Sequence, residues 1–295
     1  MSEDKHEIIP RILEQGTSVE SGAMRLRLIK QVMQASVDQS ADYVIMAGCH
    51  HPFRVFPLRA LMDLLDAFGL RYTLLSKEFC CGHSTHEENE KPEGEEKEEL
   101  AKLARDLQGR NLARARELGA SSVITFCANC YTHYKVFSGD QGLPILYWTD
   151  IVTQHIGQEP LANLLGEFDF YEGCHREQNV LLPRAIDTNK STTLLGLMDN
   201  PTFNEVPPFC CKRQPEKVFG AMKTSLLVTP TPCCFGRLSN LGPPEGVRIR
   251  LLVEVIRDAY VARNGAMGGQ RILSPGLIRR WGGAVPAAAK DPSGA

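Results

Sequence analysis

Apolar residues recur at helical spacing, or in short unbroken runs, along most of the chain. Residues with the helical spacing predict amphipathic helices over residues 22–38, 53–68 and about 95–118. The unbroken runs predict buried strands over residues 43–48, 71–75, 122–126 and 143–148, with a short helix at 149–155. Gly69 and Gly119 follow two of these helices and suit their C-terminal ends. The alternation of strand and helix predicts an α/β layer with a parallel sheet.

The second half of the chain repeats the beginning of the first half. The apolar run 168–173 resembles the run 43–48, and both lead into a Gly-Cys-His triplet, at Gly48-Cys49-His50 and at Gly173-Cys174-His175. We interpret this as an internal duplication. Its later parts correspond less well: a strand at 225–229 precedes Cys233-Cys234, but the long helix between the second and third cysteine motifs is missing. A closing helix at about 247–262 mirrors the end of the first half.

The pattern and the length predict two domains. A chain of 295 residues with 43% hydrophobic residues is long enough to bury two cores of ordinary size. We therefore predict small parallel sheets flanked by helices in two pseudo-repeated domains, with the cysteines at the carboxyl ends of the strands. The predicted divisions are an N-terminal helical extension (1–40), a first domain (41–160), a second, degenerate domain (161–263) and a flexible tail (264–295), whose apolar segment 272–281 suits a partner surface.

Ten cysteines carry the chemistry that the sequence predicts, and they fall into two sets of five. The first set is Cys49, Cys80, Cys81, Cys127 and Cys130. The second set is Cys174, Cys210, Cys211, Cys233 and Cys234. Almost every group follows an apolar run that is typical of a strand, and ligands of parallel sheets collect at the carboxyl ends of strands. We therefore expect the cysteines of each set to converge in space.

Five thiolates exceed what one ordinary metal site uses. A tetrahedral zinc ion and a cubane iron-sulfur cluster each take four cysteines. Two adjacent cysteines, such as Cys80 and Cys81, chelate a single tetrahedral ion poorly but suit neighbouring irons. The first set therefore favours a multinuclear iron-sulfur centre, and structural zinc or metal-free thiol chemistry are the alternatives.

Composition and charge narrow the class of protein. The chain begins with charged residues, and it has no apolar run long enough for a signal peptide or a membrane span, so we predict a cytoplasmic protein with reduced thiols. The net charge of −2 gives no electrostatic basis for binding nucleic acid. Residues 86–99 alone carry eight glutamates and two lysines, which suits a solvated loop or a docking surface for a partner. No nucleotide-binding fingerprint occurs.

The first cysteine set resembles the CCG domains of the B subunit of heterodisulfide reductase. The similarity rests on Cys49, Cys80-Cys81-Gly82 and Cys127-Ala128-Asn129-Cys130, with a partial duplication, and covers about residues 41–262. Relatives occur in sulfur-oxidising bacteria and in iron-sulfur subunits of several oxidoreductases. The resemblance implies a noncubane 4Fe-4S cluster on the five first-set cysteines, with an open face for a disulfide or persulfide sulfur.

The resemblance also implies partners and a mechanism. The partners are a C-type 4Fe-4S subunit, an A-type flavin subunit and a sulfur-carrier protein. With two such sites, a disulfide enters between the clusters and is converted in two one-electron steps. The second motif is irregular, and the B-type subunits of sulfur oxidisers also have irregular motifs. This chain is therefore closest in character to those subunits, which are thought to act on carrier-bound sulfur. The alternatives are an electron-transfer subunit of a flavin-dependent dehydrogenase and a zinc-stabilised assembly module.

The second cysteine set departs from the family pattern. Lys212 stands where the motif has glycine, the spacer after Cys211 is short, and Thr231-Pro232-Cys233-Cys234 replaces the usual Cys-x-x-Cys. An alignment on Pro232 and Cys234 puts Thr231 in the position of the lost cysteine. Several alternatives are therefore open for the second set. It holds a normal cluster if Cys233 takes the lost position by a local backbone shift, or it holds a different cluster, zinc or nothing.

Candidate catalytic residues are the histidines beside the cysteines, because an imidazole titrates near neutral pH and can protonate a leaving thiolate. They are His50, His83 and His175, and His133 lies near Cys130. Hydrogen bonding to cluster sulfur or simple packing is the alternative role. Arg54, Arg176 and Arg213 are candidates for binding an acidic substrate, although solvated arginines are common.

Overall fold

The computed structural model describes residues 5–18, 21–85, 94–138, 142–173 and 186–265, with side chains from Ile8 onward. Several predicted features lie outside these residues. They are Cys174, His175 and Arg176, most of the acidic segment 86–99, and almost all of the tail 264–295. Within the described part of the chain, no helix has the length and apolar character needed to cross a membrane.

Eight strands form two parallel sheets of four strands each. The strands are β1 (Tyr43–Met46), β2 (Tyr72–Leu74), β3 (Ser122–Thr125), β4 (Ile145–Tyr147), β5 (Glu167–Phe170), β6 (Thr202–Glu205), β7 (Leu226–Thr229) and β8 (Arg248–Leu251). The strand order is β2-β1-β3-β4 in the first sheet and β6-β5-β7-β8 in the second, so the two halves have the same topology. The predicted α/β fold with two repeated parallel sheets is therefore confirmed.

Helices flank both sheets. They are α1 (Lys5–Gln15), α2 (Gly22–Arg27), α3 (Val55–Ala67), α4 (Gly94–Glu117), α5 (Ala128–His133), α6 (Trp148–His155), α7 (Asn189–Gly196), α8 (Pro215–Gly220), α9 (Pro232–Asn240) and α10 (Leu252–Asn264). The helices α2 and α5 continue as single π-helical turns at Leu28–Val32 and Tyr134–Ser138. Short 3₁₀ turns follow the first two cysteine motifs, at His51–Phe53 and His83–Thr85.

Two predicted helices were wrong at one end. The helix predicted over 22–38 stops near Val32, because Gln34 and Asp38 both adopt positive φ angles that no helix continues through. The helix predicted from 247 begins only at Leu252. The preceding residues form β8, where Arg248 and Arg250 alternate with Ile249 and Leu251, which is the period of a strand. The elements α7, β6, α8 and α9 were not predicted.

One hydrophobic core connects the two sheets. It contains Leu61 of α3, Trp148 of α6, Phe168 of β5 and Ile256 of α10, all of them fully buried. An ion pair of 2.7 Å between Arg257 Nη1 on α10 and the buried Asp63 Oδ2 on α3 crosses the same boundary. The two halves are therefore packed together through apolar contacts and not only joined by the chain.

Gly82 is required by the backbone at the first CCG motif. Its φ is +93°, and a Cβ atom there would lie 2.5 Å from Ala104 Cβ on α4. Lys212, the corresponding residue of the second motif, does not adopt a positive φ. The lysine in the second motif therefore reflects a different local backbone.

We expect Gly82→Ala to destabilise the fold more than Gly69→Ala. Both residues have positive φ, but a Cβ at Gly69 meets nothing within 4 Å, so Gly69→Ala isolates the backbone strain of about 1–2 kcal/mol. The clash with Ala104 adds overpacking of about 1–3 kcal/mol to Gly82→Ala. Chemical denaturation of the two variants measures the difference. Equal free energies of unfolding would contradict the close packing of α4 on the motif.

Candidate metal centre

The first cysteine set is gathered at the carboxyl ends of the first sheet. Cys49 follows β1, Cys127 follows β3, and Cys80-Cys81 follow β2 after a short loop. All five thiols are buried, with between 3% and 9% of each residue exposed. The prediction that these cysteines converge holds for the whole first set.

The five thiols form one continuous series of contacts. Cys49 contacts Cys80, which contacts the adjacent Cys81. Cys81 contacts Cys130, and Cys130 contacts Cys127. Each contact is a hydrogen bond between thiol groups, so Cys81 links the two ends of the series. The donors are all sulfur, which suits iron-sulfur centres and other thiophilic metals.

These contacts divide the thiols into more and less acidic members. The hydrogen bonds from Cys130 and Cys80 lower the pKa of Cys81 to about 6. Cys130, and to a smaller extent His51, hold the pKa of Cys127 well below its usual range. The pKa of Cys49 is raised by Cys80 and by burial, and that of Cys130 by Cys127 and Cys81. A metal centre would supply the positive charge needed to ionise all five thiols together.

A buried carboxylate holds the loop that carries Cys49. Glu78 Oε1 accepts a 2.7 Å hydrogen bond from the Gly48 amide, and Oε2 accepts one of 3.0 Å from the Ala47 amide. Arg25 Nη2 on α2 pairs with the same Oε2 at 2.6 Å, and both side chains are almost fully buried. Burial raises the pKa of Glu78, and Arg25 opposes this shift. The sequence analysis did not select Glu78, because its partners are distant in the chain.

Helix α4 holds the backbone around Cys80 and Cys81. Asn111 bonds to both the amide and the carbonyl of Phe79, at 2.8 and 2.7 Å. Gln108 Nε2 donates a 2.7 Å hydrogen bond to the carbonyl oxygen of Cys81. Asn111 also donates to Tyr134 Oη at 2.7 Å, which connects this loop to the segment after α5. The two adjacent cysteines are therefore fixed by side chains on one face of a long helix.

The N-terminal segment covers one side of the first set. Ile8 and Ile12 of α1 pack in a cluster with Cys49 and Cys80. The Cys80 amide donates a 2.7 Å hydrogen bond to the Gly16 carbonyl, and Ser18 hydrogen-bonds to the Cys49 thiol. These contacts keep water from the end of the set formed by Cys49 and Cys80.

The histidines near the cysteines differ in their surroundings. Desolvation, together with the neighbouring His51, lowers the pKa of His50 to about 4, although its side chain is exposed. The neutral imidazole therefore predominates at pH 7, which makes His50 a poor general acid. His83 Nδ1 lies 3.1 Å from His133 Nε2, and its Nε2 lies 2.9 Å from Asn129 Nδ2. This arrangement supports a hydrogen-bonding role for His83. His51, which the sequence analysis missed, is buried and hydrogen-bonds to Cys127.

The second set reproduces part of this geometry. Thr231 is the N-terminal cap of α9 as Cys127 is of α5, so Cys234 takes the helical position of Cys130. A Cβ on Gly173 would meet Cys234 Sγ at 2.9 Å and Thr231 Oγ1 at 3.3 Å, while one on Gly48 would meet Cys130 Sγ and Cys127 Cβ, both at 3.2 Å. Thr231 therefore occupies the place of the lost cysteine, as the alignment on Pro232 predicted.

Of the other described cysteines of the second set, Cys211 is buried and the other two are less enclosed. Cys211 Sγ and Cys234 Sγ are 3.5 Å apart, which corresponds to the contact between Cys81 and Cys130. Cys210 and Cys233 are partly exposed. Thr231 Oγ1 donates a 2.8 Å hydrogen bond to the Glu172 carbonyl, so its side chain is held beside the backbone that leads to Cys174. Two of the four described cysteines are thus placed like their first-set counterparts.

Arg54 and Tyr147 lie between the two sets. Arg54 interacts electrostatically with Cys233 and Cys127, one cysteine from each half. Tyr147 is fully buried near the same two cysteines and donates a 3.2 Å hydrogen bond to the Pro230 carbonyl. Helices α5 and α9 also contact each other. The two cysteine sets therefore face one another across this pair of residues.

The nine described cysteines are free thiols. Across the described ranges, no group of three or more histidine, cysteine, aspartate or glutamate side chains has, as it stands, an arrangement that would hold a metal ion. The thiols of the first set contact one another in series. Their number, burial and sulfur chemistry fit a multinuclear centre better than a single ion.

Comparison with models of protein families finds a match that covers the first cysteine set. Residues 43–135 match the family model of the CCG cysteine-rich domain. The CCG domain runs from β1 to the turn after α5 and contains all five cysteines of the first set. It supports, at the level of the domain, the resemblance to the B subunit of heterodisulfide reductase. No curated protein matches the chain.

Proposed function

We propose that this chain is the iron-sulfur subunit of a heterodisulfide reductase-like complex. Its first cysteine set carries a noncubane 4Fe-4S cluster and acts on disulfide or carrier-bound sulfur, in the context of sulfur oxidation. The observation that supports this most strongly is the series of five buried, mutually contacting thiols within a CCG domain. Five cysteine ligands with an adjacent pair suit several neighbouring irons.

The residues of the site have distinct roles in this proposal. Cys49, Cys80, Cys81, Cys127 and Cys130 hold the cluster, which supplies electron transfer and a binding position for substrate sulfur when it is bound. Glu78 fixes the loop before Cys49, and Asn111 and Gln108 fix the loop at Cys80-Cys81. His51 stabilises the thiolate of Cys127. Ile8 and Ile12 exclude water from one side.

The proposed partners follow from the resemblance to B-type subunits. They are a C-type 4Fe-4S subunit and an A-type flavin subunit, which exchange electrons with this chain, and a sulfur-carrier protein that brings the substrate. The proposed compartment is the cytoplasm, where thiols and clusters stay reduced. Absence of a nucleotide-binding fingerprint in the sequence is consistent with a flavin on another subunit.

An electron-transfer subunit of a flavin-dependent dehydrogenase is the second candidate. It is favoured by Thr231, which replaces a cysteine ligand at the position of Cys127. This replacement makes the two halves unequal and weakens a symmetric scheme in which both halves bind one sulfur of a disulfide. A single working cluster would still pass electrons.

Metal analysis tests the proposal directly. We expect anaerobically purified protein to contain about four irons and four acid-labile sulfides per chain, or about eight if the second set also carries a cluster. Zinc without iron would overturn the proposal. A change in the visible or electron paramagnetic resonance spectrum on addition of a sulfur compound supports the sulfur-handling enzyme, whereas reversible reduction with no such change supports the electron-transfer subunit.

A further inference from the structure

Arg54 occupies an unusual position on the surface of helix α9. Its guanidinium group lies against the bare backbone of Gly236, where a Cβ atom would be 1.4 Å from Nη1 and 2.0 Å from Cζ. Gly236 is one helical turn after Cys233. Arg54 itself comes five residues after Cys49, in the loop that leads into α3. The absence of a side chain at Gly236 therefore creates the space that brings a cation between the two cysteine sets.

The charge of Arg54 is not neutralised by a carboxylate of the described residues. Burial lowers the pKa of Arg54, and its electrostatic neighbours include the thiols of Cys233 and Cys127 and the imidazole of His50. An arginine side chain remains protonated in proteins at any physiological pH. Among the described ranges, Arg54 donates no hydrogen bond and forms no ion pair within the usual distances. Its planar group is thus a partly buried cation whose N–H groups meet no acceptor in the described part of the chain.

The side chain is also reachable. Arg54 is only half-buried, and the nearby Cys233 is partly exposed, whereas Cys127 is buried. The Nη1 end of the guanidinium lies closest to Gly236, and Cζ and Nη2 are the next nearest atoms. A guanidinium binds a carboxylate through two parallel hydrogen bonds along one of its edges.

We propose that Arg54 binds the carboxylate of a small anionic thiol or disulfide and so places the substrate's sulfur between Cys127 and Cys233. The proposal rests on the proposed function, because it assumes that a sulfur substrate binds at the first cysteine set. It adds a specificity-determining residue, Arg54, that selects sulfur compounds carrying an oxyanion. A charge-assisted bidentate contact is worth about a tenfold gain in affinity.

Binding of a matched pair of thiols tests this role without an activity assay. The cluster-loaded protein is titrated anaerobically by calorimetry with 3-mercaptopropionate and with the uncharged 3-mercapto-1-propanol. We expect the carboxylate to bind about tenfold more tightly than the alcohol. In Arg54→Gln the ratio of the two affinities should fall to about one, and Arg54→Lys should keep part of the preference for the carboxylate.

Two further variants separate direct binding from a general effect of charge. Gly236→Ala displaces the guanidinium but keeps its charge, and because the clash is with the flexible end of a side chain the fold tolerates it. It should lose the preference as Arg54→Gln does. Arg237→Gln removes an exposed arginine from the same helix and should leave the preference unchanged.

The outcomes are distinguishable. If the wild-type protein and Arg54→Gln prefer the carboxylate equally, the role of Arg54 is wrong while the proposed function stands. If Gly236→Ala keeps the full preference, the charge of Arg54 acts at a distance and the direct contact is wrong. If neither thiol binds to cluster-loaded wild-type protein, the sulfur-handling function fails, and the role of Arg54 fails with it.

Discussion

Replacing Cys81 with serine is expected to remove about four irons per chain from the purified protein. Cys81 contacts both Cys80 and Cys130, so it joins the two ends of the thiol series. Its pKa of about 6 also makes it one of the thiols most easily ionised for binding metal. A serine hydroxyl cannot replace a thiolate at this position. Iron and sulfide analysis, with the visible spectrum of the same sample, measures the loss.

The matched control is Cys211→Ser in the second half. Cys211 contacts Cys234 as Cys81 contacts Cys130, but the second set has Thr231 in place of a cysteine. The control should therefore leave the first cluster intact. If Cys81→Ser retains its iron while Cys211→Ser loses iron, the working centre lies in the second half, and the assignment of the first set is wrong.

Glu78→Gln is expected to lower the free energy of unfolding by about 3–5 kcal/mol. The substitution leaves the charge of Arg25 buried without its counter-charge, because only 3% of the arginine side chain and 5% of the glutamate side chain are exposed. Glutamine also has an NH₂ group in place of one carboxylate oxygen, so one of the two acceptor positions that Ala47 and Gly48 use separately is lost. Denaturant titration of the wild type and the variant measures the loss of stability.

An exposed ion pair provides the control for Glu78→Gln. Asp42 pairs with Arg71 at 2.6 Å, but 49% and 68% of these side chains are exposed. Asp42→Asn should therefore lower the free energy of unfolding far less than Glu78→Gln does, because solvent screens an exposed ion pair. The iron content of Glu78→Gln should also fall, because the loop before Cys49 loses its support. A variant with unchanged stability and unchanged iron would show that Glu78 does not position this loop.

The elements that the sequence predicted well are those with a strong local signal. The strands β1 and β3 are short apolar runs, and α4 is a long amphipathic segment that ends before Gly119. The cysteine spacing and the sheet edge together predicted the convergence of the first set. The correspondence of Thr231 with Cys127 also followed from local order, since each cysteine or its replacement stands at the start of a helix.

The features that the sequence did not give depend on contacts between distant segments. Glu78 meets Arg25 across 53 positions, and Arg54 meets Gly236 across an even longer separation. His51 was passed over for His50, because position in the sequence does not show which of two adjacent imidazoles turns toward Cys127. In β8 the alternation covers only four residues before a strongly amphipathic helix, so the longer pattern dominated the prediction.

The core that α3 shares with α10 limits how the molecule can be divided. Leu61, Phe168 and Ile256 belong to one continuous apolar cluster, and Arg257 pairs with Asp63 across it. A fragment that stops after residue 135 would expose the inner face of α3 to water and leave Asp63 without this partner. We therefore expect the segment that the family model matches to be less stable alone than in the full chain, because the second half covers its inner apolar face.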